Sequence, residues 1–297
     1  MSTTTISSPS RAAGGTGLSF AGILRSEWIK FRSLRSTQLL LLFTFLAVVG
    51  VGAMTAWVQA LSLDGIMQHG MGMGAPGSPE SKMTLDQATA AMGVNLYGIP
   101  NAGLQIGILI LGSLAVLFIS SEFGTGMIRS TLTAVPKRLP VFFAKAAVLV
   151  VVSYVLTLVA AVATTVVAMP IFSAYGIEIS FGLDGIVYSI LMGGLYVAGV
   201  ALIGLSLGTL LRSSAGGIIV LVVVFFLLDF GTQLMSFIPG EFWKYVNQYV
   251  PSVAGGRMLE INDKVAFISP GAGALIFVGW ILLFMIPALI ALKTRDV

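Results

Sequence analysis

LLLLFTFLAVVGVGAMTAWVQA, residues 39–60, carries no charged side chain. As one helix it is long enough to cross a bilayer, whose hydrocarbon layer is ~30 Å thick and needs about 20 apolar residues at ~1.5 Å each. Five further runs of the same kind follow, at about Ala102–Ser121, Val141–Met169, Gly185–Leu211, Gly216–Phe237 and Gly271–Leu292. The expected fold is therefore an all-α polytopic membrane protein with six transmembrane helices. The spanning domain covers residues 39–292, after an N-terminal segment of residues 1–38 and before a short tail, 293–297.

The composition agrees. Hydrophobic residues make up 57% of the 297 and charged residues only 9%, with a mean hydropathy of +0.99. Soluble domains average roughly 25% charged, so a soluble fold would lack side chains to cover its surface. There is no cysteine and His69 is the only histidine, which excludes disulfides, thiolate chemistry and any site needing two imidazoles. The net charge of +4 does not point to nucleic acid, because the cations lie between apolar runs instead of on a polar module. Met1–Gly17 lacks the pattern of a secretory signal, so the first run is expected to be a retained helix.

The cations orient the chain. Twelve of the 16 lysines and arginines fall on one side of the expected topology, among them Arg25, Lys30, Arg32, Arg35, Arg129, Arg138 and Lys145, against Lys82, Lys244, Arg257 and Lys264 on the other. By the positive-inside rule both termini are cytoplasmic. The third run exceeds a bilayer's thickness, and its front end, with Lys145, is expected to project into the headgroups or tilt.

Between the spans, residues 61–100 read as a flexible external loop ending in a short helix at Thr84–Met92. Phe242, Trp243, Tyr245 and Tyr249 cluster within Pro239–Pro270 and suggest an interfacial or re-entrant segment. The Gly103/Gly107 and Gly204/Gly208 pairs allow close helix approach, within one chain or between two. The run Met67-Gln-His-Gly-Met-Gly-Met73 is either a soft-metal site or, the favoured reading, a flexible loop.

Three places are candidates for function. In Phe20–Arg35, the residues Phe20, Ile23, Leu24, Trp28, Phe31 and Leu34 share a helical face, flanked by Arg25, Arg32 and Arg35, as in a helix lying at a membrane surface. Glu27 falls inside that apolar arc, where it pairs with Lys30 or with a cation from another segment. The second place is Glu122-Phe-Gly-Thr-Gly-Met-Ile-Arg-Ser-Thr-Leu-Thr-Ala-Val-Pro136. Here Thr125 is expected to cap a short helix that puts Ile128, Leu132 and Val135 on one face beside the basic Arg129, a shape suited to docking a soluble partner. The third is Asp229, about 25 Å across its span from Arg212. It is either a substrate or gating group or a wetted outer carboxylate.

The Leu24–Ser36 stretch together with Glu122-Phe-Gly-Thr-Gly126 and its continuation to Leu132 resembles the ABC-2 type transporter permeases, particularly actinobacterial ones. The resemblance implies a permease subunit of the bacterial cytoplasmic membrane that works as a dimer with a second permease copy. Two cytoplasmic ATPase subunits would bind ATP and Mg and dock at a coupling helix over Glu122–Val135. It also implies an interfacial helix at Phe20–Arg35, a re-entrant segment at Pro239–Val250 and export of a substrate. The chain itself contains no GxxxxGK[ST] phosphate loop, so it is not expected to be an enzyme or to hold a cofactor. A secondary transporter driven by an ion gradient is the alternative. An intramembrane enzyme ranks behind it, for want of an activated nucleophile in the spans.

Overall fold

The computed structural model describes residues 19–69, 83–127, 138–235, 237–238, 241–261 and 268–294. Among them all regular structure is helical: α1 (Phe20–Ser33), α2 (Arg35–His69), α3 (Leu85–Met92), α4 (Leu104–Gly124), α5 (Arg138–Ser173), α6 (Ile186–Leu211), α7 (Ser214–Met235), α8 (Glu241–Val246), α9 (Pro251–Arg257) and α10 (Pro270–Thr294). Six segments are long and apolar enough to cross a membrane. They are α2, α4 with the preceding 3₁₀ turn Leu96–Asn101, α5, α6, α7 and α10.

These helices overrun the sequence boundaries. α2 continues to His69, so the first part of the expected 61–100 loop is helix. α3 starts where expected, because Thr84 forms a capping box with Gln87. Of the Met67–Met73 run, the residues after His69 lie outside the described residues.

α6 is the hub. Within the spanning windows 67% of α6 is buried, against 22% for each of α2, α7 and α10. It packs against α4, α5, α10 and α7. Lipid tails are as apolar as leucine, so burial from water does not drive these contacts, and close packing decides them. Glycine lets α4 and α6 meet. A Cβ on Gly204 would lie 2.5 Å from the Gly112 carbonyl oxygen, and one on Gly208 would lie 2.7 Å from that of Val116. Gly103 approaches the Val48 carbonyl of α2 in the same way, and a Cβ on Gly107 would lie 3.2 Å from the Val48 side chain. Both GxxxG pairs are thus occupied by packing inside one chain. The open outer faces of α2, α7 and α10 carry Phe43, Leu46, Ile219, Leu227, Leu275 and Leu283, as lipid contact requires.

Candidate functional site

Two polar clusters stand out in this apolar bundle, one at each end of the spans. The first is built on α1. Ser19 caps that helix by accepting from the Gly22 amide, and Leu34, in extended conformation, ends it before α2 begins. Ile23, Glu27 and Phe31, four residues apart, form the stripe that is buried against the neighbouring spans. Phe20, Trp28 and Leu34, expected on the same embedded face, are exposed, as are Arg25, Arg32 and Arg35. Glu27 is therefore the centre of the inward stripe instead of an intruder in a lipid-facing arc.

The charged cluster around Glu27 draws on three helices, α1, α4 and α5. Glu27 Oε2 accepts from Lys145 Nζ at 2.6 Å and Oε1 from Lys30 Nζ at 2.9 Å. Glu122 Oε1, near the end of α4, accepts from Lys145 at 2.8 Å and from Lys30 at 3.2 Å. The four charges form a closed ring of alternating sign with no net charge. Lys145 is wholly buried and lies 4.3 Å from the centre of the Phe118 ring, which Phe31 meets edge-on at 5.3 Å. The expected overhang of this helix end toward the headgroups is thus joined by a buried side chain, which that expectation does not include. Two carboxylates hold it inside, because a buried ammonium without them would be strongly destabilising.

Lys30 is a third exposed at its side chain. Burial, the largest influence, lowers its pKa, but the hydrogen bond to Glu27 and the charges of Glu122 and Glu27 outweigh it and raise the pKa above the ordinary lysine value. Glu122 Oε2 is buried and has no hydrogen-bond partner among the described residues. Around the ring, Ser120 of α4 bonds Ser214 of α7 at 2.8 Å, Arg212 lies 5.1 Å from the Phe123 ring, and Arg138 donates to the Leu292 carbonyl at the end of α10.

Past Glu122 the chain emerges. Phe123 is half-buried, and Gly124, Thr125, Gly126 and Met127 are exposed. The Thr125 hydroxyl donates back to the Ser121 carbonyl at the end of α4, and the helix it is expected to cap lies outside the described residues. Gly126 has φ +72°, the left-handed conformation that turns the chain after a helix. Ile128, Arg129, Leu132 and Val135 lie outside the described residues.

The second cluster surrounds Asp229, about 15 residues beyond Ser214 and so roughly 22 Å from the ring's end of the bundle. The turn before it, Val223–Leu227, is a π-helical segment. One residue inserted in a turn rotates the remainder of the helix by about 100°, and this sets the face that Asp229 presents. Asn247, just after α8, donates to the Asp229 carboxylate at 2.9 Å and to the Thr232 hydroxyl at 2.8 Å, while Gln233 donates to the same carboxylate oxygen at 3.1 Å. Among the described residues Asp229 has amide partners and no ion pair.

The aromatic segment is next to it. Phe242 is well exposed and meets Trp243 edge-on at 5.3 Å, Tyr245 is half-buried, and the Tyr249 carbonyl accepts from Trp280 of α10 at 2.9 Å. α9 then packs deep against α6 and α10. Gly255 lies on the Tyr196 ring, whose hydroxyl donates to the Ser252 carbonyl at 3.3 Å, and Tyr196 meets Phe277 at 5.0 Å.

Sequence reasoning does not single out Lys145, Asn247, Thr232 or Tyr196 as site residues. For Lys145 a signal exists, since it is the only charged residue between Arg138 and Glu178, and Glu27 is a carboxylate in need of a cation. Neutral Asn247 and Thr232 give no comparable signal. No protein-family model matches the chain, and no curated protein matches it.

Proposed function

We propose that this chain is the membrane-spanning permease subunit of an ATP-driven transporter of ABC-2 type, exporting its substrate across the cytoplasmic membrane by alternating access. ATP and Mg would be bound by two cytoplasmic ATPase subunits, and a second permease copy would complete the transporter. The observation that carries this reading is the ion ring. It joins α1, the end of α4 and the start of α5 directly beneath the exposed Gly124–Met127 turn. A push on that turn reaches α4 through Glu122 and passes to α1 and α5 through charges that cannot separate cheaply. The segment would thereby act as the coupling element, with Ile128 and Leu132 as its apolar contacts. The deep packing of α9 against α6 and α10 fits a re-entrant outer segment, with Asp229 beside it as the candidate gate.

A secondary transporter is the second reading, favoured by Asp229, a half-buried carboxylate held by amides next to a π-helical turn. Co-purification in mild detergent separates the two. The first reading expects an ATPase subunit at near-equal stoichiometry, lost when Ile128 or Leu132 is changed to Asp while membrane insertion persists. A chain that purifies alone and transports under an ion gradient would replace it with the second.

A further inference from the structure

The angle between α1 and α5 holds an open groove of about 380 Å³. One wall is Ala21, Leu24, Arg25 and Trp28, whose spacings of three and four put them on one face of α1, beside the buried stripe of Ile23, Glu27 and Phe31. The other wall is Ala147, Val148 and Val151 of α5. α5 has 36 residues, ~54 Å of helix against a hydrocarbon layer of ~30 Å. With the excess shared between its ends, Ala147–Val151 is the first turn inside the hydrocarbon, and α1 lies level with the headgroups.

Arg25 is the only charged group on these walls, and it is exposed. Among the described residues neither its guanidinium nor the Trp28 indole N–H has a polar partner. No carboxylate is to spare either. Glu27 and Glu122 are the described carboxylates at this end of the bundle, and the neutral ring takes up both. Arg32, seven residues on and so on the same side of α1, adds a second exposed positive charge.

We infer that this groove binds an anionic phospholipid, its phosphate on Arg25 and the upper part of one acyl chain against Leu24, Ala147 and Val151. The guanidinium fork suits two phosphate oxygens, and the Trp28 N–H lies at the level of the ester carbonyls. Charge complementarity selects the occupant. A zwitterionic lipid fits the same walls but carries its own cation, and leaves Arg25 and Arg32 without a counter-charge. The inference rests on the helices spanning a membrane and does not depend on what drives transport.

Trp28 gives the test a local signal. The full chain and its Trp28→Phe variant are reconstituted in bilayers of phosphatidylcholine and phosphatidylglycerol with matched acyl chains, one lipid or the other brominated along the chain. Bromine quenches an indole near contact, and the difference between the two proteins isolates Trp28. Quenching should show phosphatidylglycerol favoured at the groove by about fivefold, the effect of one arginine beside an anionic lipid. Arg25→Gln should remove most of that preference. Arg35→Gln, which takes the same charge from the start of α2, should leave it, and Ala147→Phe, which fills the groove and alters no charge, should abolish it. Equal quenching by the two lipids in the unaltered chain overturns the assignment. Equal losses from Arg25→Gln and Arg35→Gln also overturn it, since they would mean diffuse attraction to a basic surface. Arg25 and Arg35 are exposed, so their replacement leaves the packing intact, and this pair decides even if Ala147→Phe does not fold.

Discussion

The two ends of this bundle are held by different physics. At the α1 end, four formal charges close a ring in which each cation touches two carboxylates, and Lys145 is wholly buried. At the far end, Asp229 is held by the amides of Asn247 and Gln233, and Asn101 Oδ1, Gln248 Oε1 and Ser252 Oγ are buried without partners among the described residues. Breaking a buried ion pair costs about 3–5 kcal/mol, whereas a hydrogen bond to a single charged group contributes about 1.5–3 kcal/mol. The first end is therefore built to move as one piece. The second, with short helices and a π-helical turn, is tied less tightly. The proposed transporter, coupling a push at one side to opening at the other, would use both.

The largest expected effect tests the ring. Lys145→Met leaves Glu27 and Glu122 facing each other across an apolar side chain and should lower stability by about 3–5 kcal/mol. Thermal unfolding in detergent would register it. Lys145→Met combined with Glu27→Gln should recover part of the loss, and simple addition of the two single effects would break the idea of a coupled ring. Next in size is the seam between the ends. Gly204→Leu drives a side chain into the Gly112 backbone of α4 and should cost about 1–3 kcal/mol or prevent folding. Gly279→Leu on α10, where a Cβ meets nothing, should be nearly silent. Equal effects would mean that the glycines of α6 do not set the helix spacing.

The smaller effects sharpen the contrast. Asp229→Asn keeps an acceptor for Asn247 and should change stability by less than about 1 kcal/mol. Unchanged transport by that variant would remove Asp229 as a gate, and lost transport at unchanged stability would establish it. Lys30→Met should cost only about 0–1 kcal/mol, because its side chain is a third exposed and Lys145 still bridges both carboxylates. The Lys30 pKa is raised in the folded state, so its share of stability is fully present below about pH 10.5, its unfolded value, and is lost as pH rises through the folded value. Stability measured from pH 6 to 9 should therefore show no trend attributable to Lys30, and a decline appearing only in the unaltered chain within that window would contradict the assignment.

Much of the architecture is legible in the residues. All six spans follow from runs such as residues 39–60, and α3 from the Thr84 and Gln87 cap. Glu27 is visible as an anomaly, a carboxylate among Ile23, Trp28 and Phe31. The direction in which α1 faces is not legible. An apolar arc reads the same whether it meets lipid or neighbouring helices, and here Ile23, Glu27 and Phe31 turn inward while Trp28 and Phe20 stay outside.

What the sequence by itself determined is what free energies of transfer decide locally. It sets which stretches cross, roughly where they end, and that any charge left inside must find a partner. What only the tertiary structure decided is which partner that is. Lys145 lies 118 residues from Glu27, and the two meet because α1 packs on α5. Gly204 and Gly208 of α6 likewise meet α4 within the chain. The reason is physical. A soluble helix announces its inner face by an apolar stripe, but α4, α5 and α6 are apolar all round. Their faces are selected by close packing and by the few polar groups that must be satisfied together, and neither is written in the order of residues along one helix.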